Sequence, residues 1–93
     1  MKDGEKSLAK MFQILEAISE KSNGSGAKEL IEKLQLPRST VFRMLKFLNE
    51  KGYVKNKGNI YFLGNMLLRL GNMAVKQNSL IRIAHPHLME LAG

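Results

Sequence analysis

Arg38, Ser39, Thr40, Arg43 and Lys46 lie within nine consecutive residues, "RSTVFRMLK". Two guanidinium forks, two hydroxyls and an ammonium make no nucleophile–base–orienter set, so they do not suggest bond-breaking chemistry. They are the groups that hydrogen-bond phosphates and base edges: arginine grips guanine with two parallel bonds, and hydroxyls serve bases or phosphates. Phe42, between them, is an apolar group of the kind that meets a thymine methyl. The same stretch carries Val41, Met44 and Leu45, which with Leu48 recur at three- and four-residue spacing. On a helix these four share one arc, and Ser39, Phe42, Arg43, Lys46 and Glu50 fall on the other side. The pattern predicts a helix over about 37–51, buried on one side and presenting cations and hydroxyls on the other. Pro37 suits its first turn, having no N–H to lose and a pre-set φ.

Such a helix needs elements to bury its apolar arc. Ser7 is a candidate cap for a first helix running from Leu8 to about Glu20, with Leu8, Met11, Phe12, Leu15 and Ile18 as its apolar stripe. "SNGSG" (Ser22–Gly26) then breaks the pattern. "AKELIEKL" makes a short second helix burying Leu30, Ile31 and Leu34, with Gly26 as its N-cap and Glu29 in the dipole-favoured first turn. "QLP" (Gln35–Pro37) is a tight corner into the third helix. Two helices joined by a tight turn and packed on a preceding helix are the helix-turn-helix pattern. After Gly52 the period changes: Tyr53–Lys55 and Ile60–Leu63 are β-prone runs joined by "NKGN". A hairpin this short must lean on the helices. The expected fold is mainly α (α+β), a winged helix-turn-helix of three helices and a β-hairpin wing over residues 1–64. A helical period returns over 65–78, where Met66, Leu67, Leu70, Met73 and Ala74 form a stripe with no evident partner in the preceding residues. That stripe predicts a dimerisation helix, since its polar side carries too few charges (Arg69, Lys76) for a membrane-surface anchor. Residues 79–93 begin another helical pattern.

The charge distribution supports the same reading. The 93 residues have a formal net charge of +7. Residues 33–57 hold seven lysines and arginines against Glu50 alone, a local balance of +6, whereas residues 1–32 are slightly acidic. A focused basic region is the footprint of a polyanion binder. Lys55 and Lys57, at the hairpin tip, suit phosphate or minor-groove contact beside the reading helix. Ser25 and Lys28, in "GSGAKEL", can hold a DNA phosphate with the backbone N–H groups of a helix start. A nucleotide loop is not expected there, because the GxxxxGK[ST] spacing and a preceding strand are missing. With 44% hydrophobic and 25% charged residues, disorder is not expected. The chain has no cysteine, which removes disulfides, thiol catalysis and cysteine-held metals. His85 and His87, with only Glu90 nearby, do not complete a metal site. No cofactor is expected. "MKDGEKSLAK" lacks the apolar core of a signal peptide, and no apolar run approaches a membrane span, so a cytoplasmic protein is expected.

The stretches "SLAKMFQILEAISE", "AKELIEKLQLPRSTVFRMLKFLNEKGYV", "YFLGNMLLRLG" and "AHPHLMELA" together resemble the isocitrate-lyase-regulator (IclR) type transcriptional regulators. The resemblance spans nearly all of the chain after Lys6, and "LPRSTVFRML" followed by "YFLG" is its most specific part. It implies an N-terminal winged helix-turn-helix binding double-stranded, palindromic operator DNA as a homodimer or a dimer of dimers. Arg38, Ser39, Thr40 and Arg43 map onto the DNA-reading positions. It implies that residues 65–78 are the linker helix where protomers meet. It also implies that residues after about Ser79 begin a C-terminal domain binding a small-molecule effector, of which this chain holds only the start. Two other classes stay open on the residues alone. A winged helix can serve as a protein–protein module, which would not need the basic region. An RNA-binding version would need exposed aromatics for stacking, for which only Phe42 and Phe47 lie near the basic region.

Overall fold

The computed structural model describes residues 2–78. The helical pattern expected from Ser79, with His85 and His87, lies outside the described residues.

The order of elements is α1 (Lys2–Ser19), β1 (Ser25–Gly26), α2 (Ala27–Leu34), α3 (Arg38–Glu50), β2 (Val54–Lys57), β3 (Ile60–Leu63) and α4 (Asn65–Gln77). The strands form one antiparallel sheet in the order β1-β3-β2. This is a winged helix-turn-helix: α2 and α3 are the motif, α1 supports them, and β2–β3 is the wing. The third strand was not expected, since Ser25 and Gly26 belong to a stretch that breaks the helical pattern. They pair with Tyr61 and Ile60, which gives the wing's inner strand a partner on both edges.

Ile14, Ala17 and Ile18 of α1, Leu30 of α2, Val41, Met44, Leu45 and Leu48 of α3, and Val54 of β2 are buried together as the core. The arc expected on the third helix is the arc that is buried. The stripe expected on α1 is only partly so: Ile18 is buried and Met11 and Leu15 are half-buried, but Leu8 is 60% and Phe12 64% exposed. The apolar swath of α1 is wider than the face that α2, α3 and β3 cover, and Leu8 and Phe12 sit on its uncovered edge. Ser7 does not cap α1 either, because the helix already begins at Lys2.

The corner between α2 and α3 has a cause that the sequence pattern did not show. Gln35 takes the left-handed conformation (φ 58°), uncommon for a residue with a Cβ, and its N–H bonds to the Ile31 carbonyl at 2.9 Å. Pro37 sits just before the first turn of α3 as its N-cap, and its carbonyl accepts the Val41 N–H at 3.1 Å. At the start of α2 the Glu29 carboxylate accepts the Gly26 N–H at 2.8 Å, while Lys21 and Glu29, and Glu20 and Lys33, pair across to the end of α1. The ammonium of Lys21 and the N–H of Gly26 hold the Glu29 carboxyl below the usual range.

Candidate nucleic-acid interface

The candidate reading face is built on the N-terminal half of α3. Arg38 is its first residue, so its side chain leaves the helix where α2, the corner and α3 meet. Arg38, Ser39, Phe42, Arg43 and Lys46 are all exposed and Thr40 is half-buried, while Val41, Met44 and Leu45 between them are in the core. The structure therefore resolves the stretch as the spacing predicts: one side packs and the other is offered outward. Neither arginine has a carboxylate partner among the described residues, for both ion pairs join lysines to glutamates between α1 and α2.

The Arg38 guanidinium lies over the Phe42 ring, 4.9 Å from its centroid. This pair was missed in the sequence, although the signal was there: residues four apart on a helix are neighbours. A similar contact sets the Lys51 ammonium 5.6 Å from the centre of the Phe47 ring.

Three elements converge beside the reading face. A surface concavity of about 340 Å³ is lined by Lys28 of α2, Arg38 and Phe42 of α3, and Asn59, Ile60 and Tyr61 of the hairpin, with Gly26 and Ala27. Lys28 is thus brought next to Arg38. Ser25 is not available in the same way. It is 3% exposed and paired with Tyr61 in the sheet, so its hydroxyl is not presented to a phosphate as the sequence reading expected. Strand pairing has taken the residue that a loop would have left free.

The wing is joined to α3 by side chains as well as by the core. β2 runs to Lys57, two residues further than expected, and the turn contracts to Gly58 and Asn59. Of these two turn residues only Gly58 has a positive φ (61°), the placement that a type II′ hairpin turn requires. Lys55, Asn56 and Lys57 are exposed, whereas Val54 is in the core. The Asn49 side-chain amide of α3 donates to the side-chain Oδ1 of Asn56 in β2 at 2.8 Å. This bond fixes the strand that carries both wing lysines against the reading helix. No local pattern in the sequence connects Asn49 to Asn56, so only the fold reveals it.

α4 leaves the domain from a close backbone crossing. The Gly64 N–H bonds to the Tyr53 carbonyl at 2.8 Å and the Met66 N–H to the Gly52 carbonyl at 2.9 Å. None of the residues of α4 is buried; Met66 and Leu67 are half-covered, and Leu68 (64%), Leu70 (50%) and Met73 (49%) face outward.

Comparison with known proteins decides what this arrangement is for. The model of the IclR helix-turn-helix domain matches residues 7–58. The chain belongs to the IclR family. It is similar to the HTH-type transcriptional regulator KdgR of Dickeya chrysanthemi, with 35% identity over 93 residues, 98% of this chain and 30% of that protein. It is 34% identical over 93 residues to the transcriptional repressor IclR of Escherichia coli, covering 94% of this chain and 34% of that protein. Among solved structures, Thermotoga maritima IclR superposes with a TM-score of 0.71 at 29% identity, covering 92% of this chain and 35% of that one. Pseudomonas aeruginosa HmgR does so with a TM-score of 0.71 at 27% identity, covering 88% and 34%. The chain spans about a third of the length of the curated relatives it matches. The matched domain is a helix-turn-helix, and the relatives named are transcriptional regulators. No helix among the described residues is long and apolar enough to cross a membrane.

Proposed function

We propose that this domain reads double-stranded operator DNA, with α3 in the major groove and the β2–β3 wing on the neighbouring backbone. The observation that carries this reading is the outward row Arg38, Ser39, Phe42, Arg43 and Lys46, on a helix whose opposite side is core. Residues in the first turns of such a helix reach base edges in helix-turn-helix proteins. Arg38 and Arg43 are assigned to bases, Ser39 and Thr40 to bases or the adjacent phosphate, and Lys28, Lys46, Lys55 and Lys57 to phosphates. An RNA role has less support, since both exposed rings near the basic region, Phe42 and Phe47, have a cation over one face.

Residues 1–64 form the DNA-binding unit in this reading and residues 65–78 the helix through which two copies pair. The uncovered Leu70 and Met73, with Met66 and Leu67 half-covered, support pairing, and Leu8 and Phe12 of α1 add apolar surface in want of cover. A dimer implies a palindromic operator. Effector control is assigned to the region beyond residue 78, by analogy with relatives about three times as long, and the protein would act in the cytoplasm. The test is selection of binding sites from random duplex DNA. Enriched inverted repeats support a dimeric reader. Sequence-independent retention that vanishes with salt refutes base readout.

A further inference from the structure

We infer that Phe42 is a positioning residue for base recognition: its ring holds the Arg38 guanidinium in the orientation from which Arg38 reads its base pair. The inference rests on the assignment of Arg38 to bases. Phe42 is 38% exposed and lines the same concavity as Arg38, so its ring is partly covered by the fold and partly offered to the guanidinium. The guanidinium lies 4.9 Å from the ring centroid, within cation–π range. A guanidinium that stacks by its face keeps its N–H donors in the plane, free for bidentate bonding to guanine. No carboxylate competes, because the ion pairs of the described residues lie between α1 and α2. A flexible arginine pays for ordering when it binds, whereas one already held loses less.

Phe42 could alternatively touch DNA directly, at a thymine methyl, and the two roles differ in which base pair responds. The experiment measures binding of the full chain to a selected site and to every single-base variant of it, at fixed salt. The proteins are wild type, Arg38→Ala, Phe42→Leu, Phe42→Met, Phe42→Tyr and Arg38→Ala/Phe42→Leu, each first checked for an unchanged melting curve. Phe42→Leu and Phe42→Met are expected to lower discrimination at the base pair that Arg38→Ala flattens, by about two- to fivefold, the size of an exposed cation–π contact. Phe42→Tyr keeps the ring and should keep the discrimination. The double variant should match Arg38→Ala alone, and the dependence on salt should not change, since no phosphate contact is removed. A loss that falls on a different base pair, or that persists in full in the Arg38→Ala background, overturns the inference in favour of direct contact. Discrimination that Phe42→Leu leaves intact where Arg38→Ala removes it overturns the inference while leaving Arg38 as a reader. Arg38→Ala with every preference unchanged overturns both.

Discussion

Replacing Gly64 with alanine places a methyl group inside the backbone crossing at the root of α4. A Cβ there would lie 2.3 Å from the Gly52 carbonyl oxygen and 2.9 Å from the carbonyl carbons of Gly52 and Tyr53. None of these is a side chain that can swing away. Gly64 itself has φ −92° and ψ 171°, which any residue adopts, so the whole cost comes from the close approach. Relief requires the two backbone segments to part, and two hydrogen bonds span that gap: Gly64 N–H to Tyr53 and Met66 N–H to Gly52. A net hydrogen bond is worth about 1 kcal/mol, and a buried group left unpaired costs about 1–3 kcal/mol, so Gly64→Ala should destabilise by about 2–4 kcal/mol. In a domain of this size that lowers Tm by roughly 10 °C or more. Gly71→Ala is the control: the residue is mid-way along α4 with nothing within 4 Å of its added Cβ, so it should gain about 0.5–1 kcal/mol from helix propensity. Urea unfolding of the two variants beside wild type makes the comparison. A Gly64→Ala protein within about 0.5 kcal/mol of wild type would show that the crossing yields at little cost, and the reasoning fails.

Other expectations follow from the reading face and from α4. Arg43→Ala should cost about 1–3 kcal/mol in specific binding and flatten preference at one base pair without changing Tm, since Arg43 is outside the core; unaltered preferences in a competition assay would refute base contact. Lys57→Ala should weaken binding to all sequences alike and reduce the salt slope by about one, and a sequence-selective loss would show that the wing reads bases. Leu70→Asp should shift the protein toward monomer in sedimentation and weaken palindromic sites more than half-sites; equal mass for mutant and wild type would count against pairing through α4.

Much of this architecture was legible because two independent signals agreed. In α3 the apolar spacing of Val41, Met44, Leu45 and Leu48 fixed the buried side, and the polar types between them marked the outer one. In the hairpin, two β-prone runs and the glycine of "NKGN" agreed on strand, turn and strand. Where one signal stood alone it misled. The apolar swath of α1 is wider than any single stripe, and periodicity could not say that Ile14 and Ala17 would be buried while Leu8 and Phe12 would not. That choice depends on how much of α1 the other helices and β3 reach. Ser25 was read as a loop residue because a two-residue strand has no periodicity; its pairing depends on β3, thirty-odd residues later. The Asn49–Asn56 bond and the Gly52–Gly64 crossing are likewise products of three-dimensional neighbourhood between segments that are individually unremarkable.

That crossing also bears on how a dimer would read DNA. The chain of backbone bonds runs from Leu48 of α3, whose carbonyl accepts the Tyr53 N–H at 2.8 Å, through Tyr53 to Gly64, and from Gly52 to Met66 of α4. The end of the reading helix and the start of α4 are therefore tied through two residues with no side-chain slack. Because no residue of α4 is buried in its own domain, its direction depends mainly on this root. Two α4 helices that pair would then fix not only that two reading helices are present but how far apart and at what angle they stand. Helix-turn-helix dimers need half-sites about one helical turn apart, or multiples of it, so a rigid root converts helix pairing into operator spacing. A flexible root would leave spacing unselected, and a partner bound on α4 could not be felt at α3. In the proposed reading, a change in the packing of α4 would then be transmitted through this root to α3.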